Sequence, residues 1–441
     1  MIGGLLKTTS ALAILAAAGL IVGGVTLAPK AARAADLGGD CCADLEERVA
    51  ELEATTARKG NRKISLTISG RVNANMLYWN ENAPDATADA ILDNPASDSR
   101  SDIYFGNHGG SESNFNFSGS GKISKDVTAG FYMEIRNDFG TFQIANQFTD
   151  QHGPGLEPRN TYVYLKSTSL GELRLGRTGS ASGDGWYEDF GAGTVGGLSG
   201  GRFVGNFQVR DASGQFVGPI YGDALGEWTD TGGINRIWYA TPTFGGFTAK
   251  VSYGGSDTTD ASLTWVGKFN TVNVEAGIGY NTNKELEVAV GGGFGVGTKE
   301  DQLGGSASIY ETGSGLFLSG ALGKATTDNA LFMDKTFWYV RGGWQKNVTG
   351  LGLTSIDAQY YKATNGVTGW NAIDTAAGPT STANFWGIGI DQAIDSVASN
   401  VYLHYQRDTV DPSASIVNDE EKFAVPSQSI DSVTAGMIVR F

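Results

Sequence analysis

From Leu66 onward the chain alternates. In LTISGRVNANMLYW the even positions carry Leu66, Ile68, Gly70, Val72, Ala74, Met76 and Tyr78, and the odd ones carry Thr67, Ser69, Arg71, Asn73, Asn75 and Trp79, with Leu77 alone off pattern. A period of two sends successive side chains to opposite faces of a strand. Globular strands commonly stop after about five or six residues. Alternation beyond about ten residues matches what a tilted strand needs to cross a bilayer, with one face toward lipid and the other toward water.

The pattern returns along the rest of the chain. Phe115, Phe117, Gly119, Gly121 and Ile123 alternate with Asn114, Asn116, Ser118, Ser120 and Lys122. After a tight Lys125-Asp126 turn, Val127, Ala129, Phe131, Met133 and Ile135 alternate with Thr128, Tyr132, Glu134 and Arg136. A soluble sandwich has the same period. The discriminating feature is the polar face, which here includes large ions suited to water while Gly and apolar residues face fat. Similar segments lie at 159–166, 171–178, 234–241, 247–255, 261–269, 272–280, 302–311, 316–325, 337–346, 353–362, 384–392, 400–408 and 430–441, making sixteen with the first three. A further segment, LEVAVGGGFGVG at 286–297, is read as an extracellular loop or hairpin extension, because an odd count would leave the termini on opposite sides of the membrane. Tight turns such as 243–246 and 311–315 alternate with longer polar loops at 80–111, 363–383 and 409–429. The predicted fold class is an all-β transmembrane barrel of 16 antiparallel strands, with 18 as the alternative, over residues 64–441.

Ahead of the barrel, residues 1–34 read as a signal peptide: Lys7, an apolar run from Ala11 to Ala28, then Ala32-Arg33-Ala34 before Ala35-Asp36. Beyond it no stretch approaches about 18 consecutive apolar residues, so a membrane role requires a closed barrel. Residues 35–63 read as a periplasmic coiled-coil segment and linker. Cys42, Leu45, Val49, Leu52 and Thr56 fall at alternating spacings of three and four, flanked by Glu46, Glu47, Arg48, Glu51 and Glu53, which is the seam of a short helix tying subunits together. The alternative is an amphipathic leader lying on the barrel mouth. Cys41 and Cys42 are adjacent and cannot cross-link the body of the fold, so interchain disulfides and plain surface thiols both remain open.

The formal charge is −15, and −18 once Lys7, Lys30 and Arg33 leave with the signal. A chain this acidic is a poor partner for nucleic acid, whose phosphates need a basic surface. It suggests a weak preference for cations.

One connection stands apart in length. Between GELRLGRT and INRIWYAT run residues 179–231, holding Asp184, Glu188, Asp189, Asp211, Asp223, Glu227 and Asp230 against Arg202 and Arg210, a balance of 2 − 7 = −5. So long an insertion needs a special place to sit, and the inside of a pore is the expectation.

Catalytic readings find little support. Of the three histidines, His108, His152 and His404, only His404 lies on a predicted strand, inward beside Tyr402 and Gln406, and no Ser/His pair with an orienting group stands out. The glycines of 291–297 lack the Lys-Ser/Thr pair and following helix of a phosphate cradle, and the acidic tracts 98–102 and 419–421 lack calcium-ligand spacing. No catalytic residue, cofactor or metal is expected.

The closing strand places Val433, Ala435, Met437, Val439 and the terminal Phe441 on one face, so the chain ends on an aromatic where an interfacial girdle would lie. The order of CCADLEERVAELEATTARKGNRK, LTISGRVN, SNFNFSGSGKIS/VTAGFYMEI, RNTYVYLKSTSLGELRLGRT, NRIWYATP before FGGF, ETGSGLF and TAGMIVRF resembles the general-diffusion porins of alphaproteobacteria over nearly the whole mature chain. That resemblance implies an outer-membrane homotrimer of sixteen-stranded barrels, bedded in outer-membrane lipid and lipopolysaccharide and passing small hydrophilic solutes. The third extracellular loop would be folded into the lumen, and Phe441 would act as the insertion signal read by the barrel-assembly machinery. In the inserts around 200–230, 282–301 and 409–429 it gives no residue-level guide.

Resemblance and residues meet in the long loop. Asp184, Glu188 and Asp189 are expected to face inward-phase cations on the wall, namely Arg71, Arg136, Arg174 and Arg236, across a pore constriction. Opposed charges there set a transverse field that orients dipolar solutes and disfavours apolar ones. Each of these residues is equally well read as a solvated loop or wall charge. A substrate-selective channel, or a structural or adhesion barrel with a closed lumen, is the alternative function.

Overall fold

The computed structural model describes residues 64–88, 99–107, 110–137, 145–148, 155–193, 205–225, 233–255, 257–287, 297–328, 334–364, 381–412, 415–418, 421–424 and 426–441. The expected signal peptide and coiled-coil segment, with Cys41, Cys42, Leu45, Val49 and Leu52, lie outside the described residues. The architecture belongs to the second of two units, Ile68–Phe441.

The alternation is realised side chain by side chain. In β1 (Thr67–Asn82) Ile68 and Val72 are exposed on one face, whereas Asn73, Asn75, Leu77, Trp79 and Glu81 are buried on the other. The strands that follow are β2 (Ser101–Gly106), β3 (Asn114–Lys122), β4 (Val127–Asn137), β5 (Leu156–Ser167) and β6 (Gly171–Thr178). The long connection contains β7 (Gln208–Arg210), β8 (Phe216–Ile220) and one helical turn, α1 (Tyr221–Leu225). Next come β9 (Ile234–Ala240), β10 (Phe247–Gly254), β11 (Thr258–Phe269), β12 (Val272–Glu287), β13 (Gly297–Glu311), β14 (Leu316–Thr327) and β15 (Lys335–Lys346). The chain finishes with β16 (Thr354–Thr364), β17 (Ser381–Ile394), β18 (Ser399–Pro412), β19 (Ser415–Asn418), β20 (Glu421–Ala424) and β21 (Gln428–Arg440).

Antiparallel pairing runs from each wall strand to the next, passing from β6 directly to β9 and from β18 directly to β21. It closes where β21 pairs with β1, from Arg71 opposite Arg440 to Asn82 opposite Ser429. The main sheet has 17 strands, but β2 and β3 follow one another along the same edge of β1, which leaves sixteen wall positions. Closure leaves the sheet without a free edge among the described residues, so neighbouring strands pair their backbone donors and acceptors across the wall, as hydrocarbon demands. Val163, Leu165, Ile237, Val251, Leu263, Ile278, Leu322 and Ile356 project from the outer face, each at least 44% exposed. On a water-soluble protein so continuous an apolar belt would drive association; around a barrel it is the lipid face.

Two stretches read as loops carry strand. Within 80–111, β2 pairs with β1 from Asn75–Gly106 to Asn80–Ser101. Only six residues alternate there, too few to stand out against a polar loop. Within 409–429, β19 and β20 form a separate hairpin. At 286–297 the ends extend the hairpin, Leu286 pairing with Thr298 and Glu287 with Gly297 after a register shift beyond Asn283. The chain terminus is tied in by its backbone: Gly70 N donates to the Phe441 carbonyl at 2.9 Å and Phe441 N to the Gly70 carbonyl at 3.1 Å. The Phe441 ring, 56% exposed, lies 6.0 Å from that of Phe115 on the outer face.

Candidate functional site

After β6 the chain turns inward and follows the inner wall from Ala181 to Ala192. Five consecutive strands hold it by inward-phase polar groups. Asp260 on β11 accepts the Ser182 backbone N–H at 2.8 Å, and Ser262 donates to the Ala181 carbonyl at 2.6 Å. The Trp186 indole donates to the Gly279 carbonyl of β12 at 3.0 Å. On β13, Ser306 donates to the Gly185 carbonyl and accepts from Glu188 N, both at 3.0 Å, while Ser308 accepts from Phe190 N at 3.0 Å. Ser319 on β14 donates to Asp189 at 2.6 Å. On β15, Gln345 accepts from Ala192 N at 2.8 Å and donates to the Phe190 carbonyl at 3.0 Å. Small residues make the approach possible: a Cβ on Gly277 would fall 2.8 Å from the Gly185 Cα. Buried loop backbone is expensive unless its polar groups are paired, and here the wall pairs them.

The three predicted acids take different partners. Asp184, on the one-turn 3-10 segment Gly183–Gly185, is half-exposed and paired with Lys250 of β10. Glu188 hydrogen-bonds the Glu275 carboxyl of β12, and its pKa is raised above the ordinary glutamate value, first by burial and then by Asp184, against the pull of Lys250. Asp189 accepts from Arg341 of β15 at 2.9 Å. Arg341 in turn grips Asp357 of β16 with two nitrogens, at 3.1 and 3.0 Å.

The four predicted cations are spread around the wall. Arg236 is buried and donates to Asp260 at 2.8 Å, so it braces the carboxylate that carries Ser182. Arg136 pairs with Glu157 at 3.2 Å and Glu112 at 3.7 Å. Arg71 donates through Nε to the Glu112 carbonyl at 2.8 Å. Arg174 donates through Nε to Glu172 at 2.6 Å, and its guanidinium lies 4.0 Å from the Trp238 ring centroid and 5.0 Å from that of Tyr162. Sequence reasoning missed Lys250, Arg341 and Arg159. The first two stand at inward phase in FTAKVSYGG and FWYVRGGWQK and could have been found by phase alone. Arg159 could not: the β4–β5 register shifts there, with Glu134 opposite Asn160 and Ile135 opposite Pro158. The bulge re-aims Arg159 into the lumen.

Arg159, Arg174 and Asp184 share one cavity of about 270 Å³. Tyr132, Asn160, Tyr162, Thr178 and Trp238 form its wall side, and Gly179, Ser180, Gly183 and Tyr187 its loop side.

Residues 205–225 fill another part of the lumen. Phe207, Val209, Tyr221 and Leu225 are buried against Leu77, Trp79, Phe337, Tyr361 and Phe385, all on the inner face. The Trp79 and Phe207 rings meet edge to face at 5.0 Å. Arg210 is fully buried, donating to Glu81 at 2.8 Å through Nε, while its backbone N–H and carbonyl are bound by the Gln428 amide, each at 2.9 Å. The Tyr361 hydroxyl donates to the Leu225 carbonyl at 2.6 Å. This explains Leu77, off pattern in sequence yet inward: that stretch of wall is covered by protein rather than water. His404, also inward, is buried beside Gln359. Among the described residues, no group of three or more His, Cys, Asp or Glu side chains is placed to hold a metal ion.

A family model described as Gram-negative porin matches residues 11–413. No curated protein matches the sequence. The fold is similar to that of a loop-deletion mutant of OmpT, an outer-membrane protein of Vibrio cholerae, at TM-score 0.53 and 15% identity, covering 86% of this chain and 100% of that one. In-vitro folded OmpT, described as a trimer form, aligns at 0.51 and 13% identity over 86% and 99% of the two chains. OprB of Pseudomonas putida aligns at 0.50 and 11% identity over 90% and 97%.

Proposed function

The chain belongs to the Gram-negative porin family, and from that premise we propose that it forms a water-filled passage for small hydrophilic solutes and ions, with residues 179–193 narrowing the waist. It is a protein of the bacterial outer membrane. The observation that carries the proposal is the one-sided binding of the loop. Residues 181–192 are hydrogen-bonded along β11 to β15, while the cavity flanked by Arg159 and Arg174 stays open on the β4 to β9 side. A loop fixed to one wall narrows a lumen without sealing it.

A substrate-selective channel is the second reading, and residues 205–225 favour it, because a packed segment in the lumen leaves less room than a wide diffusion pore needs. We further propose a homotrimer, in line with the trimer form described for OmpT. The helix seam at Cys42, Leu45, Val49 and Leu52 would tie its subunits, the apolar belt would meet lipid and lipopolysaccharide, and Phe441 would be the residue read by the barrel-assembly machinery.

Refolded protein in a planar bilayer tests this. Stepwise, ohmic current supports the channel, and closure in thirds supports the trimer. Silence from protein shown to be folded would sink both channel readings and leave a structural or adhesion barrel.

A further inference from the structure

Net charge predicts a weak preference for cations, yet the cavity beside the loop is lined by Arg159 and Arg174 against Asp184. With the ion-pair partners around them counted, Arg159, Arg174, Lys166 and Lys250 stand against Asp184, Glu134 and Glu172, a balance of 4 − 3 = +1. The two arginines are also unusual in what they leave unused. Arg174 spends one of its five N–H donors, Nε, on Glu172, and the rings of Trp238 and Tyr162 clamp its planar group. Its terminal nitrogens make no hydrogen bond with the described residues. Arg159, with a side chain 44% exposed on the β5 bulge, has its closest acid, Glu134, at 3.6 Å, beyond hydrogen-bond length. Glu134 is already engaged by Asn160 at 2.6 Å and Asn114 at 3.1 Å.

Two guanidinium groups with unspent donors, one held rigid by aromatic faces, are suited to bidentate capture of a planar oxyanion. A single surplus positive charge suits a monoanion, and Tyr132, Tyr162 and Tyr187 line the cavity with ring surface for an organic body. We infer that Arg159 and Arg174 form a binding station for small monocarboxylates passing through the lumen. The inference rests on the proposed channel. It adds that a carboxylate dwells there, whereas a neutral solute of equal size does not. The aromatic clamp keeps the fork aimed without an acid consuming its terminal donors, so capture costs little ordering.

Gluconate and glucose form the probe pair, matched in size and differing in the carboxylate. In a bilayer carrying potassium chloride current through the full-length protein, gluconate is expected to produce concentration-dependent block and glucose none. Each of R174Q and R159Q should raise the half-blocking gluconate concentration about tenfold or more, the worth of a charge-assisted hydrogen bond. R174K keeps the charge and loses the fork, so it should weaken gluconate block as well. Arg159 lies on an exposed bulge, so R159Q reads out even if changes at the clamped Arg174 disturb folding. Equal behaviour of gluconate and glucose in an actively conducting wild type would overturn the inference and leave the channel standing; so would inorganic phosphate blocking as tightly as gluconate. Absence of current from folded protein would instead overturn the channel itself.

Discussion

Asp189 of the lumenal loop and Arg341 of β15 meet at 2.9 Å, more than 150 residues apart in sequence, and Arg341 is 1% exposed. The guanidinium stands between Asp189 and Asp357, so one cation serves two carboxylates. Removing it leaves two acids facing one another in a poorly hydrated place. R341M is therefore expected to cost about 3–5 kcal/mol, the usual penalty for breaking a buried pair from one side. D189N, which leaves Arg341 bound to Asp357, should cost far less stability while loosening the loop. Thermal unfolding in detergent and open-channel noise check the two effects separately; equal stability losses in both variants would contradict the arrangement.

Acidity should tighten the same loop through Glu188. Its docked pKa lies above the ordinary value of 4.5. Below 4.5 docked and free loops are both protonated and the group contributes nothing to the balance. As pH rises past 4.5 the free loop ionises first, so the docked state loses relative stability until the raised pKa is passed. E188Q, a permanent neutral, should stay docked and flatten that dependence. Unit conductance between pH 4.5 and 7.5 is the measurement, and a variant that follows the wild-type curve would assign the titration to another group.

Residues 205–225 should act as a removable filler. Phe207 is fully buried with its ring on Trp79, and F207A is expected to cost about 3–5 kcal/mol of docking. Because the sixteen wall positions do not depend on this segment, deleting 205–225 should leave the barrel folded and raise unit conductance. Circular dichroism reports the first and bilayer recording the second. Unchanged conductance would mean that these residues lie off the solute path.

How far each of these features could be read in the sequence follows from the range of the interaction that fixes it. Alternation is local, and a one-residue slip would turn every side chain to the wrong face, so the wall was legible from Leu66 to Phe441 except at β2, whose six residues are too few to show the period. The wall partners of the loop are set by closure. Lys250 and Arg341 announce only that they point inward, and nothing local says that one meets Asp184 and the other Asp189. Arg236 has the same inward phase and ends under the loop, bound to Asp260. Leu77, inward and apolar, looked like an exception because the segment packed on it lies more than 100 residues downstream. Arg159 is hidden further, since its phase depends on a bulge.

Shape and charge both hold the loop, and Gly277 can separate them. A Cβ there would meet Gly185 at 2.8 Å from its Cα and 3.0 Å from its carbonyl oxygen, while the strand itself has room for a β-branched residue by propensity. G277V should leave every charge in place, keep β12 paired, and push the Gly183–Gly185 turn off the wall. The Ser306 to Gly185 hydrogen bond would be lost with it. If steric fit positions the loop, G277V changes unit conductance and loosens gluconate block by shifting Asp184 and Tyr187, with ionic-strength dependence unaltered. If charge alone positions it, the ion pairs of Asp184 and Asp189 hold the loop and G277V conducts as the wild type does. Measuring conductance of G277V and D189N side by side at low and high salt decides between them, because salt screens the more exposed Asp184–Lys250 pair and leaves the contact at Gly277 untouched.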